Sequence, residues 1–214
     1  TTAVAGYDPS KEYHDYSTVQ IWVGKNKAGV GDVIGPILYR TIWGLLNDYC
    51  PHNGDKCTLN NRDKWPCFKT HTLGVWPYPV EETSTCINEI TAEYDNEQIR
   101  SLLIGAIAGT FEALTNQLLD DVSGVRTNCY KVGENKGCNV ADVVRVINMR
   151  KHNDRQDFMY VGLSNFDTHY GPWDCCAGGK RELFDKAIDG LGGVFGQKFT
   201  RDSRCIINRW EACK

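Results

Sequence analysis

The sequence predicts an α+β fold in which a mainly antiparallel sheet has helices packed on one face, an α/β sandwich rich in disulfides. Three observations lead to this class. Strand-like runs follow one another between helix-like runs, which favours antiparallel pairing. One long apolar stretch has helical periodicity. Ten cysteines, an even number, are spread over most of the 214 residues. Since no repeat or long linker divides the chain, residues 1–214 are expected to form one domain.

The central predicted element is a helix over Asp95–Val122. Asp95 is the expected N-cap, and Gln98 would complete a capping box. Nine residues, most of them apolar, recur at steps of three and four, so they share one face. They are Ile99, Leu102, Leu103, Ala106, Ile107, Thr110, Phe111, Leu114 and Leu118. The opposite face is small, with Ser101, Gly105, Ala108 and Gly109. We expect the sheet to cover the large face and a second helix to cover the small one.

The N-terminal part of the chain supplies that second helix. Residues 1–17 are expected to form an extended arm, followed by a strand over Thr18–Val23 and a turn at 29–31. Asp32 is the expected N-cap of a helix that continues through Tyr49, with Pro36 tolerated near its first turn. Its apolar positions are Ile34, Leu38, Ile42, Leu45, Leu46 and Tyr49.

The remaining elements alternate between strands and one further helix. Cys50–Cys67 reads as a polar loop. Strands are predicted over Phe68–Trp76, Thr85–Tyr94, Val125–Val132, Phe158–Leu163 and Arg204–Trp210. Val140–Met149 favours a strand by its β-branched residues, although Asp142 is equally suited to cap a short helix. Lys180–Phe195 has helical spacing of Leu183, Phe184, Ala187, Ile188 and Leu191.

The cysteines predict five disulfides and an oxidising compartment. They are Cys50, Cys57, Cys67, Cys86, Cys129, Cys138, Cys175, Cys176, Cys205 and Cys213. No CxxC pairs with a second CxxC or a histidine pair, so a structural zinc site is not expected. Cys175 and Cys176 are expected to bond to different partners, and bridges that close long loops each stabilise by about 2–4 kcal/mol. The chain starts at Thr1 without an apolar signal segment, so we expect a removed leader and a secreted protein.

Charge and hydropathy argue against nucleic acid as a partner and against a membrane-spanning helix. The net charge of −3 and the pI near 5.9 argue against nucleic acid, which needs a concentrated basic surface. The basic residues Arg145, Arg150, Lys151 and Arg155 are more typical of a solvated strand end. The uncharged run Ser101–Phe111 falls short of the ~20 residues that span a bilayer, so a buried core helix is the default. A membrane-inserting helix has only the Gly105–Gly109 spacing in its support.

The sequence contains no complete catalytic motif. It has no GxSxG elbow and no phosphate-binding glycine loop, and its histidines lack metal-ligand spacing, so no cofactor or metal is expected. His14–Asp15 and the stretch from His152 to Asp157 carry acid–base groups, but a surface arm and a solvated turn explain them better. A glycosidase needs two facing carboxylates. The adjacent pairs Glu81/Glu82 and Asp120/Asp121 are ordinary surface.

Three of the six tryptophans suggest a binding surface. Trp65, Trp76 and Trp173 lie beside prolines in predicted loops, where an exposed aromatic group indicates a contact site for a partner or carbohydrate. Several of the other tryptophans are expected to fill the core.

A processed, cysteine-rich chain with β-α-β-β-α order and an apolar, glycine-containing helix resembles fungal and yeast killer toxins and related secreted effectors. The resemblance lies in architecture and cysteine use, and it transfers no functional residue. It implies a non-enzymatic, antimicrobial toxin that acts on the membrane, wall or ion channels of competing cells. A secreted hydrolase of cell-wall carbohydrate and a non-toxic binding module remain alternatives, and the oligomeric state is open.

Overall fold

The structure is a computed structural model, and it describes residues 16–59, 64–72, 81–115, 128–132, 135–150, 156–165, 173, 200–207 and 210–211. Only the backbone is described at 16–18, 72, 81, 131–132, 135, 150, 200–207 and 210–211. Most of the predicted arm 1–17 and all of the predicted helix Lys180–Phe195 lie outside these ranges.

The described segments contain eleven strands and two helices. The strands are β1 (Tyr16–Val23), β2 (Lys27–Gly31), β3 (Lys56–Thr58), β4 (Cys67–Thr72), β5 (Glu81–Glu93), β6 (Cys129–Val132), β7 (Asn135–Ala141), β8 (Val143–Arg150), β9 (Gln156–Ser164), β10 (Thr200–Ile207) and β11 (Trp210–Glu211). The helices are α1 (Pro36–Tyr49) and α2 (Glu97–Leu114).

Eight strands form the main sheet, in the order β11-β10-β1-β8-β9-β5-β3. Strand β4 pairs with the first half of β5, and β3 pairs with its last three residues. Neighbouring strands are antiparallel except β1 and β10, which are parallel. The predicted α+β class with a mainly antiparallel sheet is therefore confirmed.

A second sheet has the order β2-β7-β6. Two buried threonines join it to the main sheet: Thr85 Oγ1 donates to the Gly29 carbonyl at 2.8 Å, and Thr70 Oγ1 donates to the Val30 carbonyl. The ambiguous stretch Val140–Met149 belongs to two strands, β7 and β8, and Asp142 between them caps no helix. The Asp142 side chain instead accepts a hydrogen bond from Asn26. The sequence missed β2, β3 and most of β7.

Helix α2 lies between the sheet and α1, in contact with β8 and β9 on one side and α1 on another. Its small residues Gly105, Ala108 and Gly109 are buried together with its large apolar residues. The predicted N-cap was wrong by one position. Asn96 accepts the hydrogen bond from the Ile99 amide at 3.0 Å, while the Asp95 amide donates to the Asp157 carboxylate. Gln98 therefore closes no capping box.

Helices α1 and α2 are antiparallel and hydrogen-bonded near both ends. At one end the Gly35 amide, just before α1, donates to Thr115 Oγ1 at 2.9 Å. At the other, the fully buried Arg100 of α2 donates to the backbone carbonyls of Asn47 and Cys50, at 2.7 and 2.8 Å. Arg100 thus satisfies carbonyl groups that every helix C-terminus leaves unpaired.

Asp32 is not the N-cap of α1, contrary to the sequence prediction. The helix begins at Pro36 in its first position, after Gly35 at φ 56°, and has no side-chain cap. The carboxylate of Asp32 is turned to His71 instead. Asp32 therefore bonds His71, far along the chain, and does not cap the nearby helix.

Three disulfides are present in the described residues: Cys50–Cys57, Cys67–Cys86 and Cys129–Cys138. Two of them join directly opposite residues of antiparallel strands. They close short loops, with sequence separations of 7, 19 and 9 residues. The side chains of Cys175, Cys176, Cys205 and Cys213 lie outside the described set. Disulfides of this kind are typical of an oxidising environment.

Burial of the small face of α2 makes Gly105→Leu an informative substitution. We expect the larger side chain to overpack the interface and to lower the free energy of unfolding by about 1–3 kcal/mol. Thermal and urea denaturation measure the change. Gly44→Leu in α1 is the matched control, because a Cβ at Gly44 meets no atom within 4 Å. An equal response of both variants would contradict close packing at Gly105.

Candidate functional site

The solvent-facing side of α1 carries large apolar groups. We call Ile37, Arg40, Trp43, Gly44 and Asp48 the α1 surface. Ile37 is 61% exposed and Trp43 is 39% exposed. They are the exposed large hydrophobic residues in the described part of the chain. The opposite side of the helix packs into the core through Leu38, Ile42 and Leu46.

The helical spacing explains this division. Leu38, Ile42 and Leu46 recur every four residues and fix the buried direction, whereas Ile37 and Trp43 fall outside that line. Gly44 leaves open space beside them. An exposed tryptophan presents a large apolar ring with one N–H donor, a combination common at contact surfaces. The α1 surface can therefore dock an apolar group of a partner.

The predicted tryptophan surface has a different setting. Trp65 and Trp173 are half-buried and pack against the core, and the Trp173 indole nitrogen donates to the Lys25 carbonyl at 2.8 Å. Trp76 lies outside the described residues. A binding role for these three side chains stays a prediction. Trp43 was not among the predicted binding residues, although its position off the Leu38–Ile42–Leu46 line indicates that it faces away from the core.

A second candidate site joins the turn before α1 to strand β4. Asp32 Oδ2 lies 2.9 Å from His71 Nδ1, and Asp32 Oδ1 accepts the His71 amide at 2.9 Å. Thr70 Oγ1 also approaches Oδ1, at 3.2 Å. The pair is about half exposed. One carboxylate therefore fixes both the backbone and the ring of His71.

Local backbone geometry permits this contact. Gly31 has φ 52°, and a Cβ there would overlap the carbonyl oxygen of His71. A glycine at this position lets the end of β2 approach β4 closely. The approach brings Asp32 within reach of the imidazole.

Carboxylates near His71 have altered acidity. Partial burial pushes the pKa of Asp32 upward, but hydrogen bonds from the amide and ring of His71 outweigh it, so this pKa lies below its ordinary value. Glu82, opposite His71 in the register of β4 and β5, has a lowered pKa because Lys69 donates to it at 2.7 Å. The group contains an oriented imidazole beside two ionised carboxylates, the parts of a general acid–base site.

The other acid–base candidates do not join this group. Asp157 is fully buried and accepts hydrogen bonds from the Asp95 amide and from Asn148, so it supports the start of α2. Glu81 has only its backbone described. His14–Asp15, His152 and Asp120/Asp121 lie outside the described ranges.

The residues that the structure covers contain neither a metal-binding cluster nor a membrane-spanning helix. In them, no group of three or more His, Cys, Asp or Glu side chains is placed to hold a metal ion. No helix within the same ranges has the length and apolar character needed to cross a bilayer.

The Asp32–His71 contact predicts how the stability of the protein changes at acid pH. The lowered pKa of Asp32 means that its contribution to stability is present above the unfolded-state pKa of about 4 and is lost as pH falls through the folded-state value. The free energy of unfolding of Asp32→Asn should therefore decrease less than that of the wild type as the pH falls. Because the pair is half exposed, we expect a difference of about 1 kcal/mol or less.

Urea unfolding of wild type and Asp32→Asn between about pH 2 and 6 measures this difference. Asp48→Asn, an exposed position on α1, is the control. Parallel stability curves for wild type and Asp32→Asn would contradict the assignment.

Comparison with known proteins supplies no function, because the chain matches no protein-family model, no curated protein and no solved structure at a significant level.

Proposed function

We propose that the protein is a secreted effector or toxin that acts without catalysis, by binding a surface or membrane target on a competitor or host cell. The exposure of Ile37 and Trp43 on the α1 surface is the observation that carries this proposal. Disulfides in the described part support an extracellular setting. The resemblance of the sequence to killer toxins favours the same class.

The α1 surface is suited to binding because the helix beneath it is held firmly. Arg100 bonds the carbonyls at its end, Thr115 bonds the amide at its start, and Cys50–Cys57 closes the following loop. A fixed helix loses little conformational entropy on binding. Removing Ile37 and Trp43 from water gains about 1.5–3 kcal/mol for a fully buried large side chain.

The test is binding of fluorescently labelled protein to intact yeast cells and to phosphatidylcholine vesicles. An Ile37→Ser/Trp43→Ser double variant should bind at least about tenfold more weakly, the effect of about 1.4 kcal/mol. Its melting temperature should fall, because most of the Trp43 side chain is covered, so circular dichroism at the binding temperature must show that the variant is folded. Dye release from the vesicles separates a membrane target from a cell-surface receptor.

Asp48→Asn is the matched control, because it changes an exposed group of α1 without removing apolar area. It should bind as the wild type does. Undiminished binding by the double variant, with its fold intact, would show that the α1 surface is not the contact site.

The geometry of Asp32 and His71 favours one alternative, a secreted hydrolase of cell-wall carbohydrate. With Nδ1 facing a carboxylate, Nε2 is the ring nitrogen for proton transfer, and Glu82 adds a second carboxylate nearby. The same contacts also have a structural use, since they fasten β4 to the turn before α1.

Turnover assays on β-glucan and chitin, repeated with His71→Gln and Glu82→Gln, test the hydrolase. Activity that is lost in both variants would support it. If the wild type hydrolyses neither substrate, the Asp32–His71 contact has a structural role only.

A further inference from the structure

One row of residues runs along the exposed side of α1 and carries two opposite charges. Arg40, Gly44 and Asp48 are four residues apart, so they lie one above another on the helix. Arg40 and Asp48 are exposed, and neither side chain forms an ion pair with another described residue. Both charged groups are therefore available to a partner.

Gly44, in the middle of this row, is not required by packing within the protein. A Cβ at this position would meet no atom of the described residues within 4 Å. Glycine also favours a helix less than almost any other residue, because ordering it costs more backbone entropy. On a helix surface a glycine leaves room for a second helix, because the side chains at the contact set the distance between two packed helices.

The charges of the row are symmetric about Gly44. Arg40 and Asp48 are each four residues from it, about 6 Å along the helix axis in opposite directions. When a second copy of α1 lies antiparallel to the first, with a two-fold axis at Gly44, Arg40 of one copy is level with Asp48 of the other. The symmetry repeats this contact, so one interface contains two ion pairs. Two-fold interfaces require a self-complementary surface of this kind.

We propose that α1 is a self-association surface, on which two copies of the protein pair through antiparallel α1 helices with Gly44 at the two-fold axis. This inference goes beyond the proposed function, because the partner is a second copy of the same chain. The complementary charges and the unneeded glycine both belong to one row of one helix, and the two-fold arrangement uses all three residues.

The apolar groups of the α1 surface fit the same arrangement. Trp43 is next to Gly44, so the Trp43 side chains of the two copies lie close to the two-fold axis and to each other. Ile37 is seven residues before Gly44, which makes it level with Pro51 of the other copy, seven residues after it. Pro51 is exposed as well. Pairing therefore takes apolar area of both Ile37 and Trp43 out of water.

The size of the helix limits the strength of the pairing. Helix α1 has 14 residues and is about 21 Å long. A stable interface buries about 800 Å² on each partner, and one side of such a helix offers less. We therefore expect a transient dimer that dissociates on dilution. In dilute solution the α1 surface is free for the cellular target proposed above, so self-association and cell binding are measured separately.

Sedimentation equilibrium of the wild-type protein tests the association. Between about 1 μM and 1 mM, the average mass should rise from that of the monomer toward twice that value. The monomer has a mass of 24.1 kDa. A wild type that remains monomeric up to about 1 mM would overturn the proposal and leave the α1 surface to a different partner.

Charge reversal distinguishes this interface from association through another face. Arg40→Asp creates two like-charged contacts in the antiparallel pair, and so does Asp48→Arg, so each variant should associate at least about tenfold more weakly. An equimolar mixture of the two variants should associate again, because the acidic groups of one variant face the basic groups of the other. Lys136→Asp, the same change of charge on an exposed residue of β7, is the matched control and should associate as the wild type does.

Two results of the charge-reversal experiment would overturn the proposal. Association of Arg40→Asp as strong as that of the wild type would place the interface elsewhere. A mixture that stays monomeric, when each variant alone is also monomeric, would exclude the antiparallel pairing.

Gly44→Leu tests the close approach of the two helices without changing a charge. A leucine has room on the surface of the single chain, so the fold should remain intact, but it should hold the two helices apart. Association should weaken at least about tenfold. Circular dichroism at low protein concentration confirms that this variant and the charge variants are folded. Association unchanged by Gly44→Leu would exclude Gly44 from the two-fold axis and overturn the proposal.

Discussion

Arg100→Met is expected to lower the free energy of unfolding by about 3 kcal/mol, one of the largest effects of any single substitution in the described residues. The guanidinium is fully buried and bonds two backbone carbonyls, the Asn47 amide oxygen and Glu97. Methionine fills similar space but leaves these acceptors without their donor. Urea unfolding with intact disulfides measures the loss.

Arg40→Met provides the matched control. Arg40 is exposed on α1, and its replacement should change stability by less than about 0.5 kcal/mol. Arg100→Lys should recover only part of the loss, because an ammonium group lacks the fork geometry that bonds two carbonyls. A stability of Arg100→Met equal to that of Arg40→Met would contradict the role of Arg100 as the link between the helices.

Cys67→Ser/Cys86→Ser should destabilise the oxidised protein by about 3 kcal/mol. The bridge spans 19 residues, and cross-linking a loop of this length removes about that much chain entropy from the unfolded state. Because Cys67 and Cys86 are directly opposite in β4 and β5, the native pairing should persist in the variant. The midpoint of urea unfolding is the readout.

Cys50→Ser/Cys57→Ser is the comparison, since its separation of 7 residues predicts a slightly smaller loss, about 2.5 kcal/mol. Wild-type protein in reductant should lose more stability than either double variant. Equal midpoints for wild type and the Cys67/Cys86 variant would contradict a stabilising role for that bridge.

The sequence predicted the parts of this fold whose signals are local. The periodicity of α2, the β-branched run of β1 and the apolar run of β9 each come from side chains that pack where their own spacing directs them. The helix starts were wrong because Asp95 and Asn96 are both good caps, and the choice depends on Asp157, 62 residues away. Asp32 does not cap α1 because it bonds His71, 39 residues away.

The exposed tryptophan of the α1 surface and the contacts that hold α1 and the short strands were less predictable than the main elements. Arg100 looked like the charged boundary of an apolar run, yet it is buried because the end of α1 supplies acceptors that no pattern in the sequence reveals. Strands β2 and β3 are short and carry little alternation, and their place depends on pairing with distant segments. Trp43 was overlooked although its helical angle separates it from the buried residues of α1.

The pairing of β1 has a consequence for the order in which the molecule can form. Its neighbours, β8 and β10, begin at residues 143 and 200, so β1 has no neighbouring strand to pair with until β8 has been synthesised. Completion of the sheet must wait for its C-terminal strand, and pairing across such long sequence separations is slow. The complete sheet therefore forms only after β10 has left the ribosome.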